Sequence, residues 1–377
     1  MKPPAISAII LSAGFSSRMK DFKPLLPCGN ATMVETAIDL FSSSRIRDIV
    51  VVTGHNRQRL EKVVEKAGAR PVFNPEFEYG MLGSIQKGVM QIRPDADGFF
   101  LLPVDIPAVR KATVKRLIKK FSSGTAGITM PCFNGMPGHP PLIPIHLKPR
   151  ILDLDSQSTL RDVLFNGTHP VKKIDVHDRG ILLDADDPAG YRIVQDKLST
   201  RHIPDKDECL SIIDRHLPRD DRIRSHLADV SMTAVRLAGA VNQSLGGNPG
   251  YNLDYNLIIA ASLLHDIKRK EKDHALKGAS LIKGYGFPRV AEIIAQHMDI
   301  ILDPDPAMIS EKEIVYFADK LCNGKGPDIN YHKRFAAAVK KAPWAVTSIS
   351  KRYEHTEEIH ARIEATVGKP VGRILSA

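Results

Sequence analysis

The chain has 377 residues, of which 43% are hydrophobic, 25% charged and 6% aromatic, with a formal net charge of +10 and a pI near 9.3. That length is ample for two domains, and the composition is that of a soluble globular protein. The basic balance points to anionic partners such as nucleotides or phosphorylated cofactors. Few aromatics and no dense Lys/Arg run argue against nucleic acid, and no run reaches the roughly 20 apolar residues of a membrane span.

In chain order, the opening MKPPAISAIILSAG holds a short apolar run that enters a glycine turn, so residues 5–11 read as a buried strand and not a signal peptide. A helix is expected over 31–43, strands at 48–53 and 70–73 with a helix over 56–67 between them, a helix over 82–92, a strand at 98–104, a helix over 110–121, and then GITMP. Strand and helix runs that alternate in this way imply parallel crossovers and a Rossmann-like, three-layer α/β domain. From about residue 207 the pattern turns helical, with apolar residues at three- and four-residue spacing in 226–241, 257–267 and 289–298. LGGNPGYN (245–252) is a loop, and the polar KLSTRHIPDKDE (197–208) marks the boundary. The expected organisation is an α/β domain at 1–200, an all-α domain at 207–345 and a helical extension at 346–377. The cysteines Cys28, Cys132, Cys209 and Cys322 form no CxxC pair, which excludes a zinc ribbon and fits a reducing cytosol, so a cytoplasmic location is expected.

The first strand runs into SAGFSSRMKDFKPLLP. Small residues there let the backbone approach a phosphate, and Arg18 and Lys23 can neutralise a triphosphate and its leaving group. Only Gly14 is present, so the turn is neither a P-loop nor a dinucleotide fingerprint, which argues against an ATPase and a dehydrogenase. ILSAGFSSRMKDFKPLL resembles the LAAGxSxRMGxxKxLL opening of the MobA-like nucleotidyltransferase family, with Ser12 in place of the usual Ala and Lys20 in place of Gly. The pair Ala13-Gly14 is more like the molybdenum cofactor cytidylyltransferases than the guanylyltransferase branch.

Four further segments follow in the family's order. EYGMLGSIQKGV (78–89) resembles the segment that contacts base and ribose, and FFLLPVDIPAV (99–109) the strand that ends in D-x-P. NGMPGHPPLIP (134–144) resembles a segment near the acceptor pocket, and ILLDADDPAGY (181–191) the closing motif. The resemblance implies Leu11, Ala13, Gly14, Gly80, Gly83 and Ser84 at the nucleotide, His139 at the acceptor, and Arg18, Lys23 and Asp105 as catalytic residues. Asp105, at the C-terminal end of a parallel strand, is the expected Mg²⁺ ligand. Asp184 and Asp186 either hold a second metal position or cap the helix that begins at Pro188. The implied reaction is in-line transfer of a nucleoside monophosphate, CMP from CTP, to the phosphate of molybdopterin with release of pyrophosphate. Molybdoenzyme maturation partners belong to the same expectation.

In the second half, His226 opens an amphipathic helix, His265-Asp266 ends another, and Asp319 sits in VYFADKL. Histidines and carboxylates on facing helices can converge on a metal in a bundle core. The order H…HD…D resembles the HD phosphohydrolase superfamily. His274 and His297 fall where larger sites of that superfamily place additional ligands, so one or two divalent ions (Mn, Fe, Mg or Zn) are implied, with Asp266 shared. Such a site activates water against a phosphate ester or pyrophosphate bond, or serves as a regulator. Lys268 and Arg269 either meet a phosphate or form a solvated helix end. Two other readings stay open: a nucleotidyltransferase for a sugar or alcohol phosphate, and a regulatory protein that binds nucleotide and metal without turnover.

Overall fold

The computed structural model describes residues 3–15, 18–19, 21–122, 127–165, 169–246 and 251–376; Lys20 and residues 247–250 of the glycine-rich loop lie outside that set. The chain divides into two contiguous units, Met1–Arg201 and His202–Ala377.

The first unit runs β1 (Ile6–Ser12), β2 (Pro27–Cys28), β3 (Ala31–Thr32), α1 (Met33–Ser42), β4 (Asp48–Thr53), α2 (Arg57–Lys66), β5 (Arg70–Phe73) and α3 (Met81–Met90). It continues through β6 (Gly98–Pro103), α4 (Lys111–Ser122), β7 (Ile128–Phe133), β8 (Met136–Pro137), β9 (Leu142–Pro144), α5 (Lys148–Leu152), α6 (Leu160–Phe165), β10 (Val171–Asp175) and α7 (Pro188–Ser199). The sheet order is β10-β7-β9-β6-β1-β4-β5, with β8 paired to β7.

β1 is central and apolar because both its faces are covered. Ala8 and Ile10 join one core with Val34, Ile38 and Phe41 of α1, while Ile9 and Leu11 join another with Ile85 and Val89 of α3. β1 pairs in parallel with β4 and β6, and β7 with β10. The expectation of parallel crossovers throughout is corrected at β9, which runs antiparallel to β6 and β7. Only eight residues separate β7 from β9, fewer than the dozen or so that a parallel crossover needs, so the chain must turn back.

The second unit is helical: α8 (Lys206–His216), α9 (Ile223–Leu245), α10 (Tyr255–Leu264), α11 (His274–Gly284), α12 (Pro288–Gln296), α13 (Glu311–Leu321), α14 (Tyr331–Lys341), α15 (Val346–Val367) and α16 (Val371–Ser376). Its core gathers on α9, which packs against α10, α13, α15 and α16. Ile359 and Ile363 of α15 and Val371 and Leu375 of α16 belong to that same core. α10 is apolar on every side because it is buried all round: Leu257, Ile258, Ala260, Ala261 and Leu264 are all core residues. Reciprocal capping boxes start α1 (Thr32, Glu35), α8 (Asp205, Glu208) and α13 (Ser310, Glu313) and fix where those helices begin. Among the described residues no helix is long and apolar enough to cross a membrane. The four cysteines are buried thiols, none in a disulfide.

Candidate active site and candidate metal centre

In the first unit the site forms where β1 and β6 end side by side. Val104 donates its amide to Leu11 O (3.0 Å), which ties the two strand ends together. Leu11, Ala13, Gly14, Gly80 and Ser84 line a cavity of about 280 Å³ together with Lys23 and Asp105. Gly80 reaches this wall with φ +114°, a conformation that favours glycine, just before α3 begins. Ser84 Oγ accepts a hydrogen bond from Asn74 Nδ2 at 3.0 Å. Gly83 packs beside Asn74 and lines neither of the two cavities described here.

Lys23 opens a single 3₁₀ turn, Lys23–Leu25, and is almost fully buried. Its Nζ lies 3.2 Å from Asp105 Oδ2 and 2.9 Å from Asp186 Oδ1, and Arg18 Nη1 lies 3.2 Å from Asp186 Oδ2. Burial pushes the Asp105 carboxyl above the usual carboxylate range against the pull of Lys23, and the nearby Asp186 adds to the rise. The hydrogen bond from Lys23 holds Asp186 below that range. The sequence left Asp184 and Asp186 undecided between metal and cap. In the structure Asp187 caps α7, accepting from Ala189 N and Gly190 N, while Asp186 turns inward to Lys23 and Asp184 is exposed.

A second cavity of about 770 Å³ adjoins the first and shares Leu11, Gly80, Met81 and Pro103 with it. His139 lies on its wall, preceding a cis peptide to Pro140. Burial pushes its imidazole below the usual histidine range, so it is neutral at pH 7. The wall also includes Ser156–Leu160, and Gln86 holds the chain just before that stretch. The Gln86 amide donates to the carbonyls of Ile151, Leu152 and Leu154 at 3.2, 3.2 and 3.0 Å.

Sequence reasoning missed Gln86, whose role depends on carbonyls some 65 residues away. It also missed Gly54, which does leave a signal: a glycine directly after the apolar strand DIVVVT. A Cβ on Gly54 would meet Ala13 O at 2.5 Å and Phe77 Cγ at 2.6 Å. His55 N donates to that same Ala13 O at 3.1 Å, so the turn after β1 is clamped against the end of β4. Gly54→Ala is expected to displace this turn, destabilise the unit by about 1–3 kcal/mol and raise the nucleotide KM. Thermal melts and nucleotide titrations of the variant check both effects.

In the second unit five helices bring five expected ligands and the shared aspartate together. His226 lies in the first turn of α9, His265-Asp266 follows α10, His274 begins α11, His297 follows α12 and Asp319 lies near the end of α13. His226, His265, Asp266 and Asp319 form one group, and Asp266, His274 and His297 a second, with ligand atoms within 4.8 Å of one another in each. Asp266 belongs to both. Its Oδ2 lies 3.5 Å from His265 Nε2, and its Oδ1 lies 3.3 Å from His274 Nε2 and 3.4 Å from His297 Nε2. Asp319 Oδ1 lies 3.1 Å from His226 Nε2 and 3.4 Å from His265 Nε2.

The donor set fits divalent metal. His265 Nδ1 donates to Ser262 O at 2.8 Å and His297 Nδ1 to Ile294 O at 2.7 Å, which turns both Nε2 lone pairs inward. His265 Nε2 is fully buried with no hydrogen-bond partner among the described residues. Burial opposes a charge on His265, yet Asp266 and Asp319 outweigh it and push the imidazole up to about 10. Against burial, His265 and His297 hold the Asp266 carboxyl, and Lys320, His226 and His265 the Asp319 carboxyl, far below the usual range. Without metal the two carboxylates favour a proton on His265 Nε2, the position a bound ion would take instead. Arg269 Nη1 reaches Asp266 Oδ2 at 2.5 Å, whereas Lys268 pairs with Glu271 at 2.9 Å, away from the cluster.

Comparison with known proteins agrees with both halves. Residues 8–171 match the MobA-like NTP transferase domain, and residues 223–324 match the HD domain. The molybdenum cofactor cytidylyltransferase of Escherichia coli (strain K12) is 30% identical over 190 residues, covering 50% of this chain and 94% of that protein. The bifunctional protein GlmU of Synechococcus sp. (strain CC9902) is 29% identical over 135 residues, 33% of this chain and 28% of its own length. The crystal structure of Rv0371c from Mycobacterium tuberculosis H37Rv superposes with a TM-score of 0.47 at 23% identity, covering 52% of this chain and 100% of that one.

Proposed function

This chain belongs to the MobA-like NTP transferase family and carries an HD domain, and from that premise we propose that its first unit transfers CMP from CTP to the terminal phosphate of molybdopterin, releasing pyrophosphate. The second unit is in this reading a metal-dependent phosphohydrolase. The observation that carries the transferase half is Lys23, buried between Asp105 and Asp186 on the wall of the smaller of two joined cavities. The activity named for the Escherichia coli relative and the Ala13-Gly14 turn support CTP and the molybdopterin acceptor.

The smaller cavity takes the nucleotide phosphates and the larger one the acceptor. The acceptor oxygen bonds to the α-phosphorus, the bond from that phosphorus to the α–β bridging oxygen breaks, and pyrophosphate leaves with the electron pair. Lys23 and Arg18 offset the charge that grows on the leaving group. Asp105 and Asp186 would hold magnesium, as both carboxylates already share one cation position, and the bound ion supplies counter-charge to the reacting phosphates. His139, neutral, offers the acceptor a hydrogen bond without adding charge. Much of the rate comes from holding two anions in line inside a dry pocket.

The test is pyrophosphate release with Mg²⁺, molybdopterin as acceptor, and CTP, GTP, ATP and UTP in parallel. Release with CTP alone is expected. Release with GTP alone would move the chain to the guanylyltransferase branch, and activity only on a sugar or alcohol phosphate would replace the acceptor. Silence with every nucleotide, from folded protein, would sink the transferase reading. A finer check uses Gln86→Leu, which strands three carbonyls at the root of the acceptor wall. Its acceptor KM is expected to rise by about tenfold, or about 1.4 kcal/mol, with the CTP KM little changed.

A further inference from the structure

Resting on the reading of the second unit as a metal-dependent phosphohydrolase, we propose that its substrate is a phosphoanhydride, an anion of two or more linked phosphates. Pyrophosphate, the leaving group of the first unit's own reaction, is the smallest member of that class. The cavity over the His/Asp cluster measures about 1290 Å³ and is walled by Arg222, Arg269, Lys270, Lys320, Lys325 and Arg334. Among the described residues three carboxylates line it: Asp221, paired with Lys270 at 2.8 Å, and Asp266 and Asp319 of the cluster. Arg222, Lys325 and Arg334 form no ion pair among the described residues. Arg269 and Lys320 now rest on Asp266 and Asp319 at 2.5 and 2.7 Å, and both are left for an anion once those carboxylates turn to a metal. Such an excess exceeds what one phosphate monoester, with a charge near about −2, would require.

The turn that carries Lys325 is built rather than incidental. Gly324 and Gly326 adopt φ +84° and +94°, Lys325 N donates to Asn323 Oδ1 at 3.0 Å, and Gly326 N donates to Asp229 Oδ2 at 3.0 Å. Glycines take these angles without steric cost, so the turn sets a lysine on the cavity wall directly after the helix that supplies Asp319. Among the described residues the rings on the wall are the imidazoles of His226, His274 and His297, all members of the cluster, and its apolar members are Ile223, Met298, Cys322 and Ala338. With those imidazoles committed to a metal, a nucleobase would find no Phe, Tyr or Trp platform here. Recognition therefore falls on the phosphate chain.

The reaction balances with water alone. The water oxygen bonds to one phosphorus, the bond from that phosphorus to the bridging oxygen breaks, and the bridging oxygen keeps the electron pair and takes up a proton. P₂O₇⁴⁻ and H₂O thus give two HPO₄²⁻. Consumption of pyrophosphate removes the reverse of nucleotidyl transfer.

The test uses the full chain in a Lys23→Ala background, so that the first unit contributes no pyrophosphate site. Methylenediphosphonate, which cannot be hydrolysed, is titrated calorimetrically into metal-free protein, with methylphosphonate as the single-phosphorus control. The diphosphonate is expected to bind more tightly, and the pair Arg222→Ala and Lys325→Ala to weaken it by about tenfold or more. Phosphate release by the ion-loaded chain is then followed from pyrophosphate, tripolyphosphate and CTP against glycerol phosphate, p-nitrophenyl phosphate and CMP. Turnover of the anhydrides over the monoesters supports the proposal, and a preference for pyrophosphate over CTP identifies the first unit as the source. Preference for monoesters overturns the substrate class and leaves the hydrolase reading standing. No phosphate from any substrate, by a chain shown to hold its ions, overturns both.

Discussion

Asp105→Asn is expected to cut nucleotidyl transfer by about a thousandfold, equivalent to about 4 kcal/mol of transition-state stabilisation, while the fold survives. The backbone around Asp105 is held without its side chain: Val104 N donates to Leu11 O, Ile106 N to Pro103 O and Ala185 N to Asp105 O, at 3.0, 3.2 and 2.9 Å. Asparagine preserves the shape and leaves Lys23 paired with Asp186. It also removes a carboxylate whose burial is unfavourable and which repels Asp186. The Tm is therefore expected to stay within a few degrees of the parent, or to rise slightly, as activity is lost. Pyrophosphate release and a thermal melt on the same sample measure both quantities. A folded variant with full activity would remove Asp105 from the chemistry.

The second large effect is expected at Asp266. Asp266→Asn should lower bound divalent metal from about two ions per chain to well below one, because this carboxylate serves both His/Asp groups. His274→Ala, which touches only the second group, should leave about one ion bound. The rise in Tm that metal gives the parent should vanish in Asp266→Asn and persist in part in His274→Ala. The core around α9 does not include Asp266, so the metal-free variant remains a folded reference for elemental analysis. Retention of both ions by Asp266→Asn would show that the ions bind elsewhere.

What could be read from the sequence was what depends on local pattern. The strands at 48–53 and 70–73 were legible because an apolar run bounded by turns has few other uses. The gathering of the His/Asp cluster was legible because His226, His265-Asp266 and Asp319 follow one another in the order that resembles the HD superfamily. β9 was hidden because Leu142–Pro144 is three residues long and lies among prolines, too short for any periodicity. The contrast at Asp184, Asp186 and Asp187 is sharper. Three aspartates within four residues are chemically alike, and only the approach of Lys23 from 163 positions away decides that Asp186 faces the site and Asp187 caps the helix. Gln86 and the Asn323–Gly326 turn share that difficulty, since their partners are distant or lie in the backbone.

Contiguity allows the two units to close one after the other during synthesis. Each is contiguous, so every residue that builds the first core precedes residue 202 and can pack while the rest of the chain is still being made. The second unit cannot do so at the point where its ligands are complete. Asp319 has been added well before Ile359, Ile363, Val371 and Leu375, which finish the core that seats α9 and hence His226. The first unit can thus close around its cavity early, whereas the core behind the His/Asp cluster is complete only once α15 and α16 have been made.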